Sequence, residues 1–174
     1  MAKKESAREK REETFLRVYE ESYDRVSRYM FVRVGDRHTA EDLASETFAR
    51  ALEALDAYQE RGLPMEAWIF RIAYHIFADY VREKKKVQLV MLDEAATGGS
   101  VNVEDITEHN DHAERLTSAL ERLTPGQREV ITLRFFSDMN SVECARILGK
   151  RPGAVRELQS AGLKVLRQVM KEEM

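Results

Sequence analysis

Apolar residues recur at the three-and-four spacing of a helix face along most of this chain, and little interrupts them. Phe15, Val18, Tyr19, Val26, Tyr29 and Met30 make one such stripe. Leu43, Thr47, Phe48, Ala51, Leu52 and Leu55 make a second, and Trp68, Ile69, Ile72, Ile76, Phe77 and Tyr80 a third. Only 8 glycines and 3 prolines punctuate the 174 residues, so long helices fit better than a strand-and-turn fold. No useful length of sequence alternates with the period of a strand. The expected fold class is all-α.

The breaks divide the chain. Gly35-Asp36 ends the first stripe, and Thr39 reads as the N-cap of the next helix, with Glu41 and Asp42 at its positive end. A loop from Tyr58 to Pro64 contains Arg61-Gly62; the helix that follows from Met65 closes on Arg82, Lys84, Lys85 and Lys86. Residues 14–86 thus make a compact three-helix domain behind a charged arm, residues 1–13. Residues 87–112 lose the periodicity and contain Thr97-Gly98-Gly99-Ser100, the composition of a flexible linker. A second helical domain, residues 113–174, opens with Leu116, Leu120 and Leu123 on one face. Thr124-Pro125-Gly126-Gln127 has the form of a capping box with proline in the first turn. Ser141 to Leu148 forms a short helix, Gly149-Lys150-Arg151 a turn, and Pro152 starts the last helix.

Charge is distributed unevenly. The formal net charge is −3, yet residues 1–86 carry 17 basic and 17 acidic side chains, and residues 126–174 carry nine bases against six acids. The acids concentrate between them, in a strip of seven over residues 91–114 with no Lys or Arg. No apolar run approaches the roughly 18 residues of a membrane helix, so no membrane insertion is expected. The mixed-charge start is not a signal peptide, and one cysteine allows no internal disulfide framework; both point to the cytoplasm. Cys144 reads as a small buried core residue. His109-x-x-His112 lacks cysteine partners and gives no metal site. No nucleotide loop, metal cluster or nucleophile–base pair points to an enzyme, and no cofactor is expected.

Two constellations carry function. The first is a helix–turn–helix over residues 141–168, with Ala145 small where helices cross and Ile147, Leu148, Val155, Leu158, Leu163 and Leu166 available as its core. That leaves Arg156, Glu157, Gln159, Ser160 and Lys164 on the outer face of its second helix, which can lie in a major groove. An ordinary helical hairpin with solvated charges is the alternative. The second is the interleaving of rings and cations from Tyr58 to Lys86, the mixture a single-stranded nucleic-acid site requires. Trp68 shares the core stripe with Ile72 and Ile76, so Arg71, Tyr74 and His75, which lie off it, are the better candidates.

The order of these segments resembles a family. Asp36-Arg37-His38-Thr39-Ala40-Glu41-Asp42-Leu43-Ala44-Ser45-Glu46-Thr47-Phe48 resembles the polymerase-binding segment of extracytoplasmic-function sigma factors of the sigma-70 family. Trp68-Ile69-Phe70-Arg71-Ile72-Ala73 and Asp79-Tyr80-Val81-Arg82 resemble their promoter-melting helix. Leu123 to Val130, Ala145 to Lys150 and Gly153 to Arg156 resemble their C-terminal domain. The resemblance implies a sigma region 2 bundle joined by the acidic linker to a sigma region 4 helix–turn–helix. The protein would direct RNA polymerase core to promoter DNA and assist its opening.

The resemblance also distributes roles. Asp42, Leu43, Glu46, Thr47 and Phe48 would bind the polymerase, the carboxylates of Asp42 and Glu46 lying one turn apart. Tyr58, Arg61, Met65, Arg71, Tyr74, His75 and Arg82 would hold the unpaired minus-ten element, and Lys150, Arg151, Arg156, Glu157, Gln159, Ser160 and Lys164 would read the minus-thirty-five element. His75 stands where the family often has Asn, so base preference there is expected to differ. Arg151 replaces the usual Ser or Thr cap, and Ser160-Ala161 replace larger residues, so that with Glu157 the minus-thirty-five binding is expected to be weaker or differently specified. Opening about a dozen base pairs costs on the order of 15 kcal/mol. A captured base returns only about 1–3 kcal/mol, so the polymerase must supply most of the work. Control is expected from a separate anti-sigma factor. The alternative is a helix–turn–helix regulator acting without polymerase docking.

Overall fold

Helices, turns and short loops make up the described residues, 2–95 and 111–172, of this computed structural model, with no strand among them. Helix α1 (Ala2–Val34) takes in the charged arm, where Arg8 and Glu12 pair at 2.9 Å across one turn. Gly35, at φ +75°, ends it. Helix α2 (Arg37–Glu53) is capped by Asp36, whose carboxylate accepts from the Thr39 amide at 2.8 Å and from its hydroxyl at 2.6 Å. This corrects the assignment of the cap to Thr39: the extended residue that can reach back to the free amides lies three positions earlier. The Thr39 hydroxyl and amide hold the Asp36 carboxyl below its ordinary range.

A 3-10 turn (Leu55–Ala57) and the 58–64 loop lead into helix α3 (Met65–Ala95). Helices α1, α2 and α3 bury a shared core in which Val26, Tyr29, Met30, Ala44, Ile69 and Phe70 are fully covered. Phe48 meets Phe15 and Tyr19 edge-on, with centroids 6.4 and 4.9 Å apart. Beyond Lys86, where the sequence reading placed a linker, α3 continues to Ala95. Residues 87–92 hold no glycine or proline, and Gln88, Leu89, Met91 and Leu92 favour helix, so the backbone carries on. Their apolar side chains favour no single face and leave Val87, Leu89, Val90 and Leu92 more than half exposed. The Thr97–Ser100 stretch and His109 lie outside the described residues, and so does the side chain of His112.

The second unit comprises α4 (Asp111–Glu121), α5 (Pro125–Phe135), α6 (Ser141–Leu148) and α7 (Pro152–Glu172). Thr124 and Gln127 form the expected capping box. Asn140 and Glu143 form another at the start of α6. Gly149 turns the chain at φ +62° into α7, completing a helix–turn–helix around buried Ala145, Ile147 and Val155. Helices α5 and α7 cross closely at Gly162, where a Cβ would lie 3.0 Å from Ile131 Cγ1.

The two units pack against each other. Val32 of α1 sits in an apolar cluster with Leu120, Leu123 and Ile131. The larger core cluster likewise takes residues from both units, Tyr29 and Phe70 from one and Val130 and Cys144 from the other.

Candidate nucleic-acid interface

Three surfaces gather the residues singled out from the sequence. On α2, the apolar stripe turns Leu43, Thr47 and Phe48 into the core, and Thr47 donates its hydroxyl to the Leu43 carbonyl at 2.8 Å. Buried side chains cannot touch a partner directly, so the docking face of this helix reduces to exposed Asp42 and half-exposed Glu46. Glu46 pairs with Arg50 at 2.5 Å, an exposed contact of small energetic weight.

The second surface is a cleft of about 410 Å³ between the 58–64 loop and the start of α3. Its walls include Tyr58, Gln59, Arg61, Trp68 and Arg71. The Tyr58 hydroxyl donates to the Leu63 carbonyl at 3.0 Å and closes the loop on itself, while its ring rests against Trp68, centroids 5.0 Å apart. Burial pushes the Tyr58 hydroxyl above its ordinary pKa, so it stays neutral and fixed in this bond. Arg61 and Arg71 are exposed at the rim. Ring faces flanked by two guanidinium groups suit a base and its phosphates.

The structure distributes the other strand-site candidates elsewhere. Met65 is buried and lines a separate groove between α1 and the loop. Tyr74 is half-buried with its ring 5.3 Å from that of exposed His75, and neither borders the cleft. Arg82, farther along α3, pairs with Asp79 at 2.6 Å. Conversely, Trp68 and Gln59 belong to the cleft although the sequence reading passed over them. Trp68 stands on the core stripe, but at its first turn the neighbour is a loop instead of a helix, so the side chain is only partly buried. The Tyr58-x9-Trp68 pair of rings bracketing Arg61-Gly62 was the available signal.

The third surface is the outer face of α7. Arg156, Glu157, Ser160 and Lys164 are exposed there, joined by Lys150 and Arg151 from the turn. Gln159 sits half-buried and accepts from Arg134 Nε at 2.9 Å, so its amide is partly committed within the unit.

An ion pair joins the two units. Arg33 of α1 donates to both carboxylate oxygens of Glu129 on α5, at 2.8 Å to Oε2. Its guanidinium lies 3.6 Å from the Phe77 ring centroid and also bonds the Tyr29 hydroxyl, which lies 3.4 Å from Glu129 Oε2. Burial lifts the Glu129 carboxyl above its ordinary range even though Arg33 pulls it down. Burial lifts the Tyr29 hydroxyl as well. Two further arginines bridge the units: Arg25 donates to the Ser137 carbonyl at 3.4 Å, and Arg146 donates to the carbonyls of Gly62 and, at 3.3 Å, Arg61.

These surfaces fall within segments of known families. The family described as Sigma-70 region 2 matches residues 18–87, and that described as Sigma-70, region 4 matches residues 113–166. The chain is 34% identical over 163 residues to the ECF RNA polymerase sigma factor BldN of Streptomyces coelicolor, covering 92% of this chain and 62% of that protein, so it spans less than two thirds of BldN. It is 35% identical over 136 residues to the ECF RNA polymerase sigma factor ShbA of Streptomyces griseus, covering 75% of this chain and 71% of that one. The fold resembles the sigma factor RpoE of Bartonella quintana, solved with the anti-sigma factor NepR, at a TM-score of 0.69 and 23% identity over 90% of this chain and 96% of that one. No described helix is long and apolar enough to cross a membrane.

Proposed function

The chain belongs to the extracytoplasmic-function sigma factors of the sigma-70 family, and from that premise we propose that it directs RNA polymerase core to promoters and traps their opening. The observation that carries this reading is the cleft, where the partly buried ring of Trp68, backed by buried Tyr58, lies beside the exposed guanidinium groups of Arg61 and Arg71. An unpaired minus-ten base stacks there while the cations hold the flanking phosphates. The exposed face of α7, with Arg156, Glu157, Ser160, Lys164 and the half-buried Gln159, enters the major groove of the minus-thirty-five element. Lys150 and Arg151 meet the backbone beside it. Asp42 and Glu46 face basic groups of the polymerase, with Leu43, Thr47 and Phe48 fixing the helix that presents them.

In this reading residues 14–86 and 113–174 are the two working domains, 1–13 an arm and 87–112 the connection. Tyr74, His75 and Arg82 extend the strand path beyond the cleft, while buried Met65 anchors the start of the helix that carries them. The protein performs no catalytic step, works in the cytoplasm beside the polymerase, and is held in check by a separate anti-sigma factor, as the RpoE structure has with NepR. A regulator acting without polymerase is disfavoured, because such a protein has no use for the strand cleft.

Run-off transcription with sigma-free core polymerase and a promoter library is the test. A promoter-dependent transcript is expected, reduced by Trp68→Ala and Arg71→Ala. No such transcript across the library would sink the proposal.

A further inference from the structure

We propose that the exposed end of α3 is a self-association surface, on which residues 84–94 of two copies of this chain pack antiparallel about a two-fold axis. The inference goes beyond the promoter-directing reading and uses neither the strand cleft nor the outer face of α7. Its basis is the one place among the described residues where consecutive large apolar side chains stand in water. Val87, Leu89, Val90, Met91 and Leu92 are exposed by 41% to 67%. Apolar residues scattered singly over a surface need no partner. A contiguous apolar run on a helix that touches nothing marks an interaction site.

The order of charges says what covers it. Lys84, Lys85 and Lys86 precede the apolar run, and Asp93 and Glu94 follow it. A segment that is basic, then apolar, then acidic complements its own reverse. Laid antiparallel, the basic end of each copy meets the acidic end of the other, whereas parallel copies would set like charges together. The backbone is helical through Ala95, so at about 100° per residue Val87, Val90 and Met91 share one face. Positions 84 and 94 lie at the two ends of that face, and Leu89 and Leu92 lie on the opposite side. A pair centred between Val87 and Met91 sets Val87 against Met91 of the second copy and Lys84 opposite its Glu94. Lys84 is exposed, its ammonium 5.9 Å from the Tyr80 ring centroid. An anionic lipid surface would attract the three lysines but repel the two acids that follow. The self-complementary contact closes at two copies instead of growing. Three turns of helix span only about 16 Å, so the interface is small and the dimer reversible, with a dissociation constant of about a micromolar or weaker.

Sedimentation velocity of the full chain over a series of concentrations is the test, and the parent chain is expected to show a monomer–dimer equilibrium. Val90 belongs to neither core cluster, so Val90→Glu should leave the circular dichroism spectrum unchanged while abolishing the dimer. Leu92→Gln, on the opposite side, should leave both unchanged. Lys84→Glu or Glu94→Lys alone turns two attractions into two repulsions and should weaken the dimer about tenfold. Combining them in one chain should restore it, and mixing the two single variants should give mixed dimers. A chain that stays monomeric at every concentration overturns the proposal, and so does a dimer that survives Val90→Glu. A dimer sensitive to Val90→Glu but not restored by the double charge exchange refutes the antiparallel pairing. Two other occupants would also overturn it: a monomeric chain that sediments with phosphatidylglycerol vesicles through this segment, or one whose Val90→Glu variant loses affinity for core polymerase. The promoter-directing reading is judged separately, by run-off transcription, and stands or falls whatever the sedimentation shows.

Discussion

The recognition face of α7 and the cleft at the start of α3 both answer to DNA, but they are built in different ways. The first lies on a single helix, whose inward side packs Val155, Leu158 and Gly162 against α5 and α6 and whose outer side is free. The second is assembled from a loop, a helix start and an arginine from the other unit, and is half-covered in the chain as it stands. A duplex can be read by a rigid surface prepared in advance. An unpaired strand exists only after opening, so a site for it gains from staying covered until the polymerase has done that work.

The largest expected effect comes from cutting the link between the two. Glu129→Ala leaves the Arg33 guanidinium buried without its carboxylate, which costs the packing of the two units about 3–5 kcal/mol. The single tryptophan, Trp68, stands in the first unit at the cleft it shares with Arg146, whereas far-ultraviolet dichroism reports on all helices. In urea the two signals should coincide for the parent chain and separate for the variant. Coincident transitions in the variant would mean that Arg33 and Glu129 do not couple the units.

Next are substitutions that strike one site and spare the other. Trp68→Ala or Arg71→Ala should each lose about 1–3 kcal/mol of strand capture, a roughly tenfold to hundredfold drop in open complexes. Supplying the promoter as a pre-melted bubble should not rescue them. Arg156→Ala should lose about 1–3 kcal/mol of discrimination at one base pair of the upstream element. Its defect should vanish on templates lacking that element. Potassium permanganate footprinting separates the two classes, and the same defect on both templates would erase the distinction between the surfaces.

How much of each site could be read in the sequence follows the same division. Periodicity assigns a residue to a face of its own helix, and for α7 that suffices: Arg156, Glu157, Ser160 and Lys164 are exposed as the spacing implies. It also placed the helices and the Thr124 box, because caps are local chemistry. It does not say what stands opposite a face. Leu43, Thr47 and Phe48 occupy the core stripe of α2, so only the two carboxylates beside them can reach a partner. Trp68 sits on a core stripe yet borders the cleft, and Arg146 serves a loop more than eighty residues before it. Such contacts depend on how two units meet, which no spacing within either unit encodes. The run of α3 past Lys86 escaped notice for a related reason: an apolar segment without a preferred face has no period to detect.

A smaller effect is expected at the caps that aim the helix–turn–helix. Asn140→Ala removes the acceptor for the Val142 and Glu143 amides, each at 2.9 Å, and should cost about 1 kcal/mol. The loss should show as a lower urea midpoint with unchanged slope. Because α6 carries Arg146, this variant should also loosen the cleft slightly, whereas Thr124→Ala, at the far end of α5, should lower stability alone. Equal effects of the two on strand binding would argue that α6 has no special role at the cleft.

The smallest effect is predicted at Cys144, which stands two residues before Arg146 on α6 and is fully buried. Its thiol lies 3.8 Å from the Met139 carbonyl, and burial pushes its pKa up to about 12 from an ordinary 9.0. The proton is therefore held more tightly in the folded chain than in the unfolded one. The stability this group contributes is fully present below about pH 9 and is lost as pH rises toward 12. Iodoacetamide at pH 8 should leave the native chain unmodified, since neither thiolate nor access is available. Glu129→Ala should change the labelling rate little if the two units part as rigid bodies, because the helix–turn–helix keeps its own packing around Cys144. Rapid labelling in that variant would show instead that the helix–turn–helix loosens internally when the units part, and the contrast between a preformed duplex reader and a covered strand site would then have to be drawn inside α6 itself.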